Sequence, residues 1–422
     1  MMPSGKARKG VVLRIYLALS HLFPLAAGII LKRRLAHGKE HPERWEEKQA
    51  IGLAPRPDGP LIWLNAVGLG EVLSVRGLIE RIAAQRPDIS FLVTSTTAAS
   101  AAAFAKNTPP RTFHQFLPID APSYRARFLD HFAPDMCLWV EQDLWPGFAH
   151  TLYERGIPQA LVAARMNKRS FRSHRRLRSL YSDLFQRMAL VTAQDELTAQ
   201  HLDQLGAKPT ISGSLKPAAP KLGFDPTVLQ HLQKALEGRF VWAVAPSHQE
   251  DERIAIAAHH RLCEQEPTAL LIVAPRFPDR RYEITDMLGT RPGLRSLEQL
   301  PKTADSVWIC DTFGELGLVY SVAQSALIGG TFNDVEGHNP WEAAALGTDI
   351  YHGPRTQNFF TDYTILGQHS AAQAISSADE LARLLLDPGQ HCLARNAINC
   401  MQEASKKTDQ LAHDVVAAMG HT

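Results

Sequence analysis

Apolar positions divide the chain into an N-terminal run, a long alternating middle and a polar-faced helical end. Val11 to Leu31 is almost continuously apolar, with Lys6, Arg8 and Lys9 before it and Lys32, Arg33 and Arg34 after it. Its length is about that of a membrane span. Arg14 and His21, seven apart, share one helical face, and Pro24 interrupts the middle. A cleavable signal peptide fits poorly, because the run is long and passes straight into a basic cluster. A spanning anchor and a helix lying in the interface both fit. The basic residues at both ends disfavour a buried core helix.

After a charged connector and a Pro-rich turn, Leu61 to Val67 reads as a buried strand, followed by a Gly turn and a helix. Phe91 to Thr94, Met136 to Val140 and Gln159 to Ala163 are further apolar runs between helical stretches. This alternation predicts a parallel sheet covered by helices on both faces. It pauses over Ser212 to Phe224, rich in Pro, Gly and Lys, which predicts a linker. It resumes with Phe240 to Val244, Ala269 to Val273, Ser306 to Cys310 and Ser325 to Ile328. Two doubly wound domains with a cleft between them are expected. From Ser377 on, the pattern is helical.

A length of 422 residues suits two domains, and the near-neutral net charge of +2 argues against a bulk nucleic-acid binder. The five cysteines, Cys137, Cys263, Cys310, Cys392 and Cys400, form no CxxC pair and read as reduced core thiols. A metal site is not expected: His338 lacks a partner at ligand spacing.

Within this frame, AVGLGEVLS (Ala66 to Ser74) stands where a dinucleotide fingerprint would, but its third glycine position is Leu73. Thr94 and Ser95 end the next strand, where an acid would bind a ribose, so a nicotinamide cofactor is disfavoured. Glu71 remains, at a strand's carboxyl edge and a helix start. It is either a dipole-stabilised first-turn acid or a general base facing the cleft. Glu141, in WVEQDLWPGF, sits similarly and is either structural or on the acceptor side. ARMNKRSFRSHRRLRS carries Arg165, Lys168, Arg169, Arg172, Arg175, Arg176 and Arg178 with no acid between them, and the cations fall on all sides. A solvated helix face competes with phosphate recognition by guanidinium groups. Phosphate-bearing lipid is preferred to nucleic acid, because an apolar anchor is present and stacking aromatics are not. Further on, Arg276 follows a strand, and Thr312 and Glu315 have capping-box spacing at a helix start that could also accept a phosphate. In GHNPWEAAALG, Asn339 can cap, Pro340 suits the first turn and Glu342 stands at the capping-box acid position, so capping and ligand contact compete or coexist.

Taken in order, WLNAVGLGEV, LVTSTT, WVEQDLWP, LVAARMNKRS, SGSLK, APRFPDR, DTFGELGLVYSVAQSALIGG and GHNPWEAAALG resemble the 3-deoxy-D-manno-octulosonic acid (Kdo) transferase family over essentially the whole chain. The resemblance implies an α/β GT-B fold: two Rossmann-like doubly wound domains with an interdomain cleft, plus an N-terminal membrane-associated helix. The expected division is an anchor over 1–37, an acceptor-binding domain over 38–212 and a linker over 213–224. A CMP-sugar-binding domain over 225–395 and a C-terminal helix over 396–422 complete it. The family implies inverting, metal-independent transfer of Kdo from CMP-Kdo to a lipid A precursor, without a cofactor or nucleic-acid partner. It also implies membrane lipids as partners of the N-terminal helix, at the cytoplasmic face of a bacterial inner membrane.

By resemblance, Glu71 matches the family's catalytic base, and Arg276 the cytidine-side contact. Gly314, Glu315, Leu316 and Gly317 match the helix start that meets the CMP phosphate. Asn339 and Glu342 match nucleotide-binding positions, with Glu342 at the ribose, and Lys216 a position near the donor phosphate. Arg165, Lys168, Arg169, Arg172, Arg175 and Arg176 are the expected acceptor-binding cations. This chain has Gly68-Leu69 where the family has Ser-Val, Ser214 for Asn, Phe277 for His and Ala343 for Pro. Without a metal motif, a leaving phosphate would rely on cations and a helix start worth on the order of 0.3–2 kcal/mol. Another GT-B enzyme acting on a nucleotide sugar is the alternative, and a catalytically idle membrane adaptor a third reading.

Overall fold

A computed structural model describes residues 10–106, 108–142, 144–387 and 392–420. The flanking Lys6, Arg8 and Lys9, and Asp143 of the Trp-Pro turn segment, lie outside the described residues. The chain divides into two compact units, Met1–Ala219 with Ala404–Thr422, and Pro220–Glu403. The first break falls inside the Pro- and Gly-rich segment and the second inside the last helix.

Unit 1 holds seven parallel strands in the order β3-β2-β1-β4-β5-β6-β7. They are β1 (Leu61–Asn65), β2 (Ser90–Ser95), β3 (Thr112–Phe116), β4 (Met136–Val140), β5 (Gln159–Ala164), β6 (Leu190–Ala193) and β7 (Thr210–Ile211). The central strands are buried on both faces, as a helix-covered parallel sheet requires. In β1, Leu61 and Trp63 enter one core while Ile62 and Leu64 enter the other. Strand β1 ends at the buried Asn65, whose Oδ1 accepts a 3.0 Å bond from the Thr94 hydroxyl. Ala66 and Val67 thus belong to the turn, two residues sooner than the apolar run suggests.

Unit 2 repeats the plan in the order β10-β11-β9-β8-β12-β13-β14. Its strands are β8 (Val241–Ser247), β9 (Leu270–Pro275), β10 (Gly293–Leu294), β11 (Val307–Ile309), β12 (Ser325–Ile328), β13 (Asp349–His352) and β14 (Gln373–Ala374). Strand β8 sends Val241, Ala243 and Ala245 to one core and Trp242 and Val244 to the other. The two Rossmann-like sheets expected from the alternation are present.

The N-terminal run departs from expectation. It forms two helices, α1 (Val11–Ser20) and α2 (Phe23–Ala36), bent by 59° at their junction. Pro24 lies in the first turn of α2, where its missing N–H costs nothing, so it starts a helix there. No single described helix is long and apolar enough to cross a membrane, although the bent pair meets that length and composition. Leu13, Ala27 and Leu31 are buried, whereas Val11, Ile15, Leu19, Leu22, Leu25, Ile29 and Ile30 are exposed. Helix α1 is fastened to unit 1 by Tyr16, which donates to Asp120 at 2.6 Å, and by the Gly10 N–H, which donates to Asp183 at 2.7 Å.

The last helix, Cys392–Met419, starts earlier than the expected 396 and is not a separate appendage. Ala397 and Cys400 join a core of unit 2, and Leu411, Ala412 and Val415 join a core of unit 1. All five cysteines are free, but Cys392 is exposed and so is no core thiol.

Candidate functional site

In unit 1 the chain leaves β1 in one direction across the sheet and later returns to place β4 on β1's other side. Carboxyl ends flanking such a switch point are where open α/β sheets bind ligands. Glu71 and Glu141 stand there, after β1 and β4, which pair through Asn65 and Trp139. Glu71 is in the first turn of α3 (Leu69–Gln85) and accepts a 2.9 Å bond from the Gly68 N–H. The first-turn and site roles are therefore compatible: one carboxylate oxygen satisfies an orphan helix-start donor while the charge sits in the dipole's favourable end. Glu141 is buried and left-handed, at φ 58°, and Ala163, at the end of neighbouring β5, has φ 49°. Such backbone costs on the order of 1–3 kcal/mol for a non-glycine residue and gathers at functional edges. The sequence carries no sign of that strain.

Glu141 and Arg165 meet at a small pocket walled by Leu161, Met166, Tyr181 and Phe185. Beyond it lie α4 (Lys168–Arg176) and α5 (Arg178–Phe185). Helix α4 corrects one expectation. Its cations do not fall on all sides: from a start at Lys168, the 3.6-residue period gathers Lys168, Arg169, Arg172, Arg175 and Arg176 on one exposed arc. Phe171 turns inward to stack on His201 at 4.3 Å, and His174 packs on Tyr181. None of these five cations has an ion pair among the described residues. Lys216 belongs to unit 1 and is buried, and its N–H donates to Ser214 Oγ at 3.3 Å. The next turn rests against α3, where a Cβ on Gly77 would stand 2.0 Å from the Ala218 carbonyl oxygen.

In unit 2 the switch point lies between β8 and β12. His248 follows β8 and precedes helix α6 (Gln249–Cys263), Gly329 and Gly330 follow β12, and Arg276 follows β9. Arg276 lies over the exposed Phe277 ring at 5.4 Å, so the residue replacing the family's His supports the guanidinium. Neither an ion pair nor a hydrogen bond engages the Arg276 side chain among the described residues.

The Thr312–Glu315 segment is not a capping box. Glu315 stands just before α7 (Leu316–Val322) without a side-chain cap bond, and its carboxylate accepts from Thr312 Oγ1 and, at 2.8–3.1 Å, from Arg295. Arg295 thereby offsets a charge that would repel a phosphate. Gly314 is left-handed at φ 86°. Gly317 has a packing reason of its own, since a Cβ there would lie 2.4 Å from the Gly223 carbonyl oxygen.

Asn339 and Glu342 also differ from the expected box. The Asn339 side chain accepts from the Trp341 N–H at 3.2 Å, and its amide donates to Glu342 at 3.3 Å. Asn339 thus satisfies a first-turn N–H at the start of α8 (Trp341–Ala344), as expected of a cap before Pro340, and only the acid's part of the box differs, since Glu342 accepts from the Asn339 side-chain amide. Burial pushes the Glu342 carboxyl up to about 7, against the lowering effect of the Asn339 bond. Because the folded state holds this proton and an unfolded glutamic acid releases it near its ordinary value, stability is lost as pH rises from about 4.5 to about 7. Glu342→Gln mimics the protonated form. It should melt like the parent at pH 4 and higher than the parent at pH 8; equal melting at pH 8 would refute the shift. Donor KM is the companion measurement, because a residue that only positions Asn339 would leave it unmoved.

Among the described residues, no three His, Cys, Asp or Glu side chains gather where they could hold a metal ion. One pair escaped the sequence reading. His248 and His338 stack at 5.2 Å with their Nε2 atoms 2.9 Å apart, although 90 positions separate them in the chain. Only the folded sheet brings them together.

Comparison with known proteins adds the following. A family model described as 3-deoxy-D-manno-octulosonic-acid transferase (kdotransferase) matches residues 40–219. The 3-deoxy-D-manno-octulosonic acid transferase of Rickettsia bellii (strain RML369-C) is 33% identical over 385 residues, covering 89% of this chain and 91% of that protein. A probable mitochondrial 3-deoxy-D-manno-octulosonic acid transferase of Arabidopsis thaliana is 33% identical over 362 residues, 82% of this chain and 81% of that one. Among solved structures, UDP-GlcNAc 2-epimerase of Neisseria meningitidis bound to UDP-GlcNAc superposes with a TM-score of 0.52 at 14% identity. It covers 85% of this chain and 100% of its own, a likeness of fold alone.

Proposed function

This chain belongs to the 3-deoxy-D-manno-octulosonic acid transferase family, and from that premise we propose that it moves Kdo from CMP-Kdo to a lipid A precursor in lipopolysaccharide synthesis. It is a glycosyltransferase; the donor, the acceptor and the stereochemistry are the proposal. The acceptor hydroxyl attacks the anomeric carbon and gives its proton to Glu71. The carbon–oxygen bond to CMP breaks, CMP leaves with the electron pair, and the anomeric centre inverts. A positioned general base of this kind contributes about 10²- to 10⁴-fold. Developing charge on the phosphate is stabilised without a metal or cofactor, through Arg276 and the Gly314–Gly317 turn of unit 2, while Glu342 and Asn339 hold the ribose.

The observation that carries the acceptor half is the surface of unit 1. Exposed apolar side chains of α1 and α2 share that unit with the unpaired cations of α4, and α1 and α4 both pack on α5. Such a surface suits a phosphorylated lipid presented from a bilayer, with the apolar helices in the interface and guanidinium groups on the phosphates. The proposed location is the cytoplasmic face of a bacterial inner membrane.

The test is mass spectrometry of the product formed from CMP-Kdo and a tetraacylated lipid A precursor, with a mass increase of one or more Kdo units expected. In the same assay Arg172→Glu with Arg175→Glu should raise acceptor KM by roughly tenfold or more, with donor KM unchanged, since losing charge-assisted bonds to phosphate costs about 1.5–3 kcal/mol each. Equal effects on both constants would remove α4 from acceptor binding.

A further inference from the structure

Strand β5 carries one residue too many for its neighbour. Ala160 and Leu161 pair with Leu190 and Val191 of β6, but the next pair is Ala164 with Ala193, so three steps along β5 match two along β6. The surplus shows in the packing. Side chains of a strand alternate between faces, yet Val162 and Ala163 both enter the core that holds Ala160. Ala164 and Met166 then return to the core of Leu161, the face that an unbulged strand would deny them. A one-residue bulge is uncommon between parallel strands and re-aims whatever follows it. Here it decides on which face of the sheet the basic segment emerges. Leu13 of α1 and Leu180, Leu184 and Phe185 of α5 belong to that same core, and Phe171 of α4 packs against it.

Alanine does not hold this shape unaided, because φ 49° is a left-handed backbone that its Cβ opposes. The side chains that hold it come from β6. Thr192 Oγ1 accepts from the Ala163 N–H at 2.9 Å, and Gln194 Nε2 donates to the Ala163 carbonyl at 3.0 Å. Both polar groups of the surplus residue are thus met by side chains instead of a strand ladder. Beyond it, the Gln194 N–H donates to the Ala164 carbonyl at 2.9 Å, and Thr198 Oγ1 accepts from the Met166 N–H at 3.2 Å. Thr192, Gln194 and Thr198 are all buried. We propose that Thr192 and Gln194 are positioning residues for acceptor binding: they lock the bulge at Ala163 and thereby turn Arg165 and the cations of α4 onto the face that carries α1. The inference rests on the acceptor reading above and adds what aims those cations.

Kinetics of the full chain with CMP-Kdo and a tetraacylated lipid A precursor test it, beside amide hydrogen exchange over residues 163–167. Gln194→Met keeps nearly the glutamine's shape and removes its donor. Acceptor KM should rise roughly tenfold, the scale of one lost charge-assisted bond to phosphate, with donor KM within about twofold of the parent. Exchange over 163–167 should quicken. Adding Ala163→Gly should return both readouts toward the parent, since glycine takes a left-handed backbone without a clamp. A merely structural glutamine would not be rescued in this way. Thr192→Val removes the acceptor for the Ala163 N–H and should act like Gln194→Met, whereas Thr192→Ser keeps the hydroxyl and should behave like the parent. Placed on Arg172→Glu with Arg175→Glu, Gln194→Met should add less than about twofold in acceptor KM, because all three act through the same contacts. Equal changes in both KM values, no rescue by Ala163→Gly, or full multiplication with the arginine pair overturns the proposal. If Gln194→Met does not fold, the Thr192 pair decides: a Val variant that differs from Ser in acceptor KM alone supports the clamp, and two alike overturn it. Should the parent transfer no Kdo, the acceptor reading fails by itself and exchange decides the clamp: quickening reversed by Ala163→Gly keeps it, and no quickening removes it.

Discussion

Glu71→Gln should fold and melt like the parent while losing about 10²- to 10⁴-fold in kcat at saturating donor and acceptor, the range of a positioned general base. Folding is expected to survive because the interaction Glu71 makes in α3 needs only an acceptor oxygen. The Gly68 N–H donates to Oε2 at 2.9 Å, and the amide oxygen of glutamine can receive the same bond. What glutamine cannot do is accept a proton from a sugar hydroxyl. It also loses a charge at the dipole's positive end, worth about 0.3–1 kcal/mol, a change small in a melt and far below the kinetic effect. Rates at matched substrate saturation, together with thermal melts, separate the two roles. A variant that melts normally and turns over at the parental rate removes Glu71 from the chemistry and leaves it a helix-start acid. One that neither folds nor turns over would mean that the first-turn bond matters more than a single N–H donor explains.

Much of the double-sheet plan was legible because parallel strands buried on both faces appear as unbroken apolar runs. β1, β4 and β8 are such runs, and Trp63 and Trp242 each face one core while their neighbours face the other. The strands that escaped are those the physics does not force to be apolar. β3 reads Thr-Phe-His-Gln-Phe at a sheet edge and is half exposed over its first three residues. β13 reads Asp-Ile-Tyr-His, and its polar ends have partners of their own, the Asp349 carboxylate accepting from the Ala394 N–H and His352 bonding the Gly353 carbonyl. Spacing alone also misjudged the caps. Thr312 and Asn339 each stand three residues before an acid, yet only Asn339 meets a helix-start N–H, that of Trp341, while Thr312 lies outside the helix that begins after Glu315. In both, the side chain turns to the acid itself. The cation arc of α4 needed the helix bounds to be known, because Arg165 and Arg178 lie outside Lys168–Arg176 and only the cations within the helix share its period. The His248–His338 pair had no local signal at all, since each ring lies on a different loop and only the adjacency of β8 and β12 joins them.

That adjacency sets up the second large effect, on Gly329. Gly329→Ala should lower the melting temperature of unit 2 by roughly 2–12 °C, from an overpacking cost of about 1–3 kcal/mol and a sensitivity near 2–4 °C per kcal/mol for a domain of this size. An added Cβ would stand 2.0 Å from the Pro246 carbonyl oxygen, 2.9 Å from its carbon and 3.0 Å from Ser247 Cα. All three are backbone atoms, so no side chain can rotate away, and the ends of β8 and β12 must separate. Gly330 differs, for its neighbours are the side chains of Val335 and His338, and its constraint is also a left-handed φ of 71°. Separation at Gly329 pulls the Gly330 N–H from Asp251 and shifts His338 with the Asn339 that follows it, so donor affinity should fall in the same variant. Gly367→Ala is the control within this unit: it lies in the helix Phe360–Gln368 with nothing within 4 Å of its added Cβ. There alanine should be neutral or stabilising by up to about 1 kcal/mol, by helix propensity. If Gly329→Ala melts with Gly367→Ala and binds donor normally, the close approach of β8 and β12 is not what sets this site. If it melts early and binds poorly while Gly367→Ala does neither, the close packing of β8 and β12 at this glycine is what the donor segment depends on.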